Sequence, residues 1–125
     1  MDVTKLNGRI EGAAMVLILV IGLIHLIDAP GSFADATYKG ILFLLVFLGG
    51  IVAAVGIYRQ SWSYGWILGL IIAVCTFIGY VISRTVGLPQ IPPDVWLEEI
   101  GILSLVVEAT FVGVFIKATF IVKQH

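Results

Sequence analysis

"QSWSYGWILGLIIAVCTFIGYVIS", residues 60–83, runs from Arg59 to Arg84 without a charged side chain. A bilayer core about 30 Å thick is crossed by roughly 20 apolar helical residues, and this stretch is long enough. Three further runs share its character: about Arg9 to Ile27, Lys39 to Arg59, and about Trp96 to Val122. The spans are therefore placed at about 9–27, 40–58, 63–84 and 96–122. Barrel strands are excluded, because the apolar runs are continuous rather than alternating. The expected fold is all-α: one polytopic membrane domain over residues 1–125, built as a four-transmembrane-helix antiparallel bundle.

Composition agrees. The chain is 60% hydrophobic and 12% charged, with a net charge of −1 and a mean hydropathy of +1.11, far from soluble averages. Its partner is the lipid bilayer, and nucleic acid is not expected. The single cysteine, Cys75, lies inside an apolar run, so one chain cannot build a disulfide framework or a cysteine metal site. The first run carries Asp2, Lys5, Arg9 and Glu11 at its head and no clear small-x-small cleavage site. It is read as a mature helix, not a secretory signal.

Orientation follows from the basic residues. Four spans put both termini on one side, which carries Lys5, Arg9, Arg59, Lys117 and Lys123, against Lys39 and Arg84 on the other. The positive-inside rule then predicts cytoplasmic termini in the cell membrane. Asp28, Asp35, Asp94, Glu98 and Glu99 fall on the outer face. Tyr58, Trp62, Tyr64 and Trp66 are expected to form an inner aromatic belt, with Phe33, Tyr38, Tyr80 and Trp96 near the outer one.

Prolines mark the connections. Asp28-Ala29-Pro30-Gly31 is expected to end the first helix and Gly87-Leu88-Pro89 the third, since proline cannot continue the hydrogen-bond ladder. Pro89, Pro92 and Pro93 stiffen the outer connection before Trp96. The link from Arg59 to Ser63 is so short that the second and third helices must be neighbours. "HLIDAP" and "RTVGLP" each place a basic residue five positions before proline, which is compatible with a duplicated hairpin and with an ordinary pair of helix exits. Small residues recur every four positions at Gly65, Gly69 and Ala73, at Gly49 and Ala53, and at Gly50 and Ala54. Such rows let backbones approach in lipid, within one bundle or between two copies of the chain.

Ionisable groups inside a span cost roughly 2.5–3.5 kcal/mol at mid-bilayer and usually face protein or water. Glu108 is expected on the order of 12 Å below the outer surface, on a helical stripe with Leu97, Gly101 and Ser104. Glu98 falls at the edge of that stripe. His25 lies one turn before Asp28, and Tyr80 one turn before Arg84 on the stripe of Gly69 and Ala73. These residues predict an outward-facing ligand-binding pocket made by His25, Tyr80, Arg84, Glu98 and Glu108, with Asp28 at its rim. Pairing of Arg84 with Glu108 or Glu98 would offset the desolvation of both charges. The structural alternative is a polar pair that only fixes helix register, or a protonated Glu108 bonded to Ser104 or a backbone carbonyl.

Chemistry beyond binding is not indicated. One histidine with carboxylates is a poor zinc set, and His125 sits at the opposite end from His25, which excludes a bis-histidine haem within one chain. No cofactor is therefore assigned, and no phosphate loop, nucleophile elbow or paired-carboxylate motif points to an enzyme.

The stretches "HLIDAPGSFADATYKGILF", "SRTVGLP" and "WLEEIG", with Glu108 downstream, resemble a family of small four-span prokaryotic membrane proteins carrying an S-R-T-x-G-L-P motif. The resemblance covers nearly the whole chain. It implies the four-span fold and a polar motif at the outer face, and it implies no activity. Three classes of function follow: a membrane protein whose pocket binds a small ligand, ion or lipid headgroup; an accessory or structural subunit of a larger membrane complex; and a minimal transporter. Against the transporter stands the charge bias of five basic residues to two, since dual insertion needs little bias.

Overall fold

The computed structural model describes residues 2–89, 91 and 99–123. A 3₁₀ turn, Val3–Lys5, leads into α1 (Gly8–Asp35) and α2 (Thr37–Tyr58); a π-helical turn, Trp62–Ile67, continues directly into α3 (Leu68–Thr85), and α4 is Glu99–Lys123. Four helical segments are long and apolar enough to cross a membrane. At the N-terminus, the Thr4 hydroxyl and N–H both donate to Asp2 Oδ1, at 2.5 and 3.1 Å, and hold that carboxyl below the usual range. Asn7 then caps α1 by accepting from the Ile10 N–H at 2.9 Å.

Pro30 does not end the first helix, contrary to expectation. α1 continues to Asp35, and Ala36, extended at φ −166°, alone separates it from α2. Proline forfeits one hydrogen bond, to the Leu26 carbonyl, but the ladder continues beyond it and side-chain contacts hold the last turn. Ser32 is buried and its carbonyl accepts the Ala36 N–H at 3.0 Å. The Phe33 ring covers Gly40, and Asp35 pairs with Lys39 at 2.9 Å. A helix of 28 residues rises about 42 Å, so its end projects past the hydrocarbon. α3 behaves as expected: it stops at Thr85, and Gly87 takes the left-handed value φ 85° while its N–H bonds to the Ile82 carbonyl at 2.9 Å. The two proline-bearing hexapeptides thus end differently: α1 carries on through Pro30 and Gly31, whereas α3 turns at Gly87. Pro92, Pro93, Asp94 and Trp96 lie outside the described residues.

At the other end, α2 closes with a left-handed Gln60 at φ 59°. The Ser61 N–H reaches the Gly56 carbonyl at 2.8 Å and the Gln60 N–H the Ile57 carbonyl at 3.0 Å, the paired bonds of a Schellman cap. Ser61 Oγ then accepts from the Tyr64 N–H at 3.3 Å and opens the next helix. The chain reverses so sharply that a Cβ on Gly65 would lie 2.5 Å from the Gly56 carbonyl carbon, and one on Gly56 2.6 Å from the Gly65 Cα. Only two glycines permit this contact.

Small residues lie inside and large ones outside. Ala14, Ala53, Ala73 and Ala118 are fully buried beside Ile18, Ile21 and Ile57, whereas Leu19, Leu45, Leu48, Ile71, Leu103 and Val106 are exposed. That inversion of the soluble pattern suits helices whose outer face meets lipid. α1 and α2 pack most extensively, with Gly50 against the Ile18 carbonyl and Gly22 against Phe47. Trp66 departs from the expected aromatic belt. It is fully buried, among Trp62, Phe111 and Phe115, because its face of the helix meets the rings of α4; Tyr58 and Tyr64 are the exposed rings at that end.

Gly65→Val should lower stability in detergent by about 1–3 kcal/mol or more through overpacking. Gly79→Ala, whose Cβ meets nothing within 4 Å, should be neutral or stabilising by up to about 1 kcal/mol. Thermal unfolding followed by circular dichroism distinguishes the two.

Candidate functional site

α2 and α3 meet at the Gly56–Gly65 turn and part toward the α1–α2 junction. Between them lies a cavity of about 670 Å³, walled by α1, α2 and α3 and backed by Gly101 and Ser104 of α4. His25, Asp28, Tyr80 and Arg84 all line it. Glu108 does not reach its surface, and Glu98 lies outside the described residues.

Each polar group is placed by its helix. His25 is buried, and its Nδ1 sits 2.8 Å from the Ile21 carbonyl; a carbonyl only accepts, so Nδ1 carries the proton. Nε2 makes no hydrogen bond among the described residues and remains an acceptor. The ring tilts against Phe43 with centroids 4.8 Å apart. One turn on, Asp28 makes no hydrogen bond or ion pair with another described residue. Arg84 lies over the Tyr80 ring, its Cζ 3.8 Å from the centroid, a cation–π arrangement. Its Nη1 donates to Ser83 Oγ at 2.6 Å, and Ser83 donates to the Tyr80 carbonyl at 2.7 Å.

Glu108 faces the protein, with 1% of its surface exposed. Of the two pairings expected for Arg84, that with Glu108 is absent, and that with Glu98 lies outside the described residues. Glu108 Oε2 accepts from Ser104 Oγ at 2.6 Å, and Oε1 has no hydrogen-bond partner among the described residues. Geometry explains the miss: Arg84 sits on the last turn of α3, whereas Glu108 lies two turns below Gly101, the residue that Tyr80 packs against. Thr76, nearer in depth, spends its hydroxyl proton on the Ile72 carbonyl at 2.8 Å. Gly101, Ser104 and Glu108 do share the predicted inward stripe, all three being buried.

Several lining residues were not singled out in the sequence. Lys39 pairs with Asp35 and lies 5.6 Å from the Phe43 ring centroid. Tyr38 Oη donates to the Pro89 carbonyl at 2.5 Å, tying α2 to the α3–α4 connection. Ser32, Thr76 and Ser83 add hydroxyls. The i, i+4 spacing of Asp35 and Lys39 was the available signal, but the supposed stop at Pro30 put both in a loop. Among the described residues, no three of His, Cys, Asp and Glu come together as metal ligands would. No protein-family model, curated protein or solved structure matches this chain.

Ser104→Ala removes the hydrogen bond to Oε2 of a buried carboxyl and should destabilise by about 1–3 kcal/mol. The double variant Ser104→Ala with Glu108→Met removes both partners and should recover most of that loss. A double-mutant cycle of unfolding in detergent, completed with Glu108→Met alone, measures the coupling.

Proposed function

We propose that this chain is a multi-pass protein of the cytoplasmic membrane, an antiparallel four-helix bundle with both termini cytoplasmic, whose outward-facing cavity binds a small ligand, ion or lipid headgroup. The observation that carries this reading is the convergence of His25, Asp28, Tyr80 and Arg84, from two helices, on one cavity of about 670 Å³, a size within the range of small-molecule sites. Among the described residues, an imidazole nitrogen and a carboxylate without hydrogen bonds stand there beside two cations. Groups so costly to place next to a span are functional by default. The basic-residue bias toward the termini supports the orientation.

The orientation predicts that green fluorescent protein fused after His125 fluoresces and that alkaline phosphatase fused after Pro89 is active; the reverse pattern would invert the bundle. For the cavity, native mass spectrometry of protein extracted in mild detergent should show a bound small molecule, diminished in Asp28→Asn and in Tyr80→Ala. Retention of the same adduct by both folded variants would place binding elsewhere. Isolation only as part of a stable hetero-complex, with an empty cavity, would favour the accessory-subunit reading.

A further inference from the structure

The cavity changes character along its length. Its polar groups, Asp28, Lys39 and Arg84 among them, sit at the end near the α1–α2 junction, while farther down the walls are apolar: Leu42, Val46, Gly49, Leu68, Ile71 and Ile72. From Lys39 to Gly49 is about 15 Å of helix, the depth of one leaflet of a core about 30 Å thick. The slot is not sealed from the side. Leu42, Leu45 and Ile71 line it and are each about half exposed, at 52%, 56% and 53%, so in a bilayer its flank opens onto hydrocarbon.

Resting on the binding reading above, we infer that the occupant is a membrane phospholipid whose headgroup carries a primary ammonium, one acyl chain lying in the slot between α2 and α3. Charge decides the headgroup. Among the described residues the polar end holds two cations, Lys39 and Arg84, and two acids, Asp28 and Asp35. A purely anionic headgroup would set a phosphate against both carboxylates, whereas a zwitterion satisfies both signs. Lys39 and Arg84 face the phosphodiester. Asp28, which makes no hydrogen bond or ion pair with another described residue, receives the ammonium, with His25 Nε2 one turn below as a second acceptor. The second acyl chain stays in the bilayer through the open flank.

Gly79 gives a clean probe, because it lines the slot and a Cβ there meets nothing within 4 Å. Gly79→Leu should fold and fill the space an acyl chain needs. Full-length protein in detergent is titrated with phosphatidylethanolamine, phosphatidylglycerol and tail-free glycerophosphoethanolamine, with adducts counted by native mass spectrometry and folding checked by circular dichroism. Phosphatidylethanolamine should bind about tenfold more tightly than phosphatidylglycerol, with the preference lost in Asp28→Asn and both lipids weakened in Gly79→Leu. Equal binding of the two lipids, or a preference unchanged in Asp28→Asn, overturns the headgroup assignment. Tail-free compound binding as well as whole lipid overturns the slot while leaving the cavity as a headgroup site. Absence of every lipid adduct overturns the inference as a whole; the cavity reading itself falls only if the copurified adduct is missing too.

Discussion

The backbone contact between Gly56 and Gly65 is the constraint on which the remaining architecture depends. In lipid no hydrophobic effect draws helices together, so association rests on close packing and on hydrogen bonds. Two glycines bring α2 and the start of the next helix to backbone contact, and the Schellman bonds to the Gly56 and Ile57 carbonyls lock the reversal. α1 and α2 are joined just as tightly at the opposite end, by the single residue Ala36. With α2 committed to α1 along its length and to α3 only at its last turns, α3 must diverge from α2. The cavity is the space that divergence leaves.

What keeps the wedge from collapsing is the packing of α3 on α4. Phe111 fills the hollow at Gly69, and Tyr80 lies over Gly101; both glycines accept a ring where a methyl group would clash. Between these two ring contacts sit Ser104 and Glu108, hydrogen-bonded to each other. A carboxyl with one unbonded oxygen is costly to bury, so its contribution is not stability gained over an apolar residue. The pair instead keeps polar atoms at one depth and on one face, directly behind the cavity wall that Ser104 helps to form.

Much of this was legible in the sequence, and the failures share a cause. Span number and inward faces follow from apolar run length and small-residue spacing, which act locally; α2, and the π-helical turn taken together with α3, lie within three residues of the expected spans. Pro30 misled because proline's local preference was overruled by the turn that follows it, through the Ser32 carbonyl bond, the Phe33 ring on Gly40 and the Asp35–Lys39 pair. Trp66 misled because interfacial preference is a statistical tendency, whereas the Phe111 and Phe115 rings of α4 pack on it and bury it. The Arg84–Glu108 pair failed on depth: helical-wheel reasoning gave the right faces, but two groups on facing stripes meet only if their heights also match. His25, Asp28, Tyr80 and Arg84 were found together because each lies about one turn from its partner at the same end of its helix.

The vertical order of the cavity also follows from what each depth permits. Near the α1–α2 junction, where α1 projects past the hydrocarbon, water can solvate Asp28, Asp35 and Lys39, and polar side chains cost little. Below Thr76 the same side chains would need partners inside the fold, and α2 and α3 supply aliphatic groups there instead. Whatever fills the lower slot therefore meets only dispersion contacts, which reward hydrocarbon and penalise any group that needs hydrogen bonds. A wholly polar ligand can use only the top of the cavity, while a wholly apolar one would leave Asp28 and the His25 nitrogen unmatched. The arrangement favours a molecule with both kinds of surface, arranged in the same order as the wall.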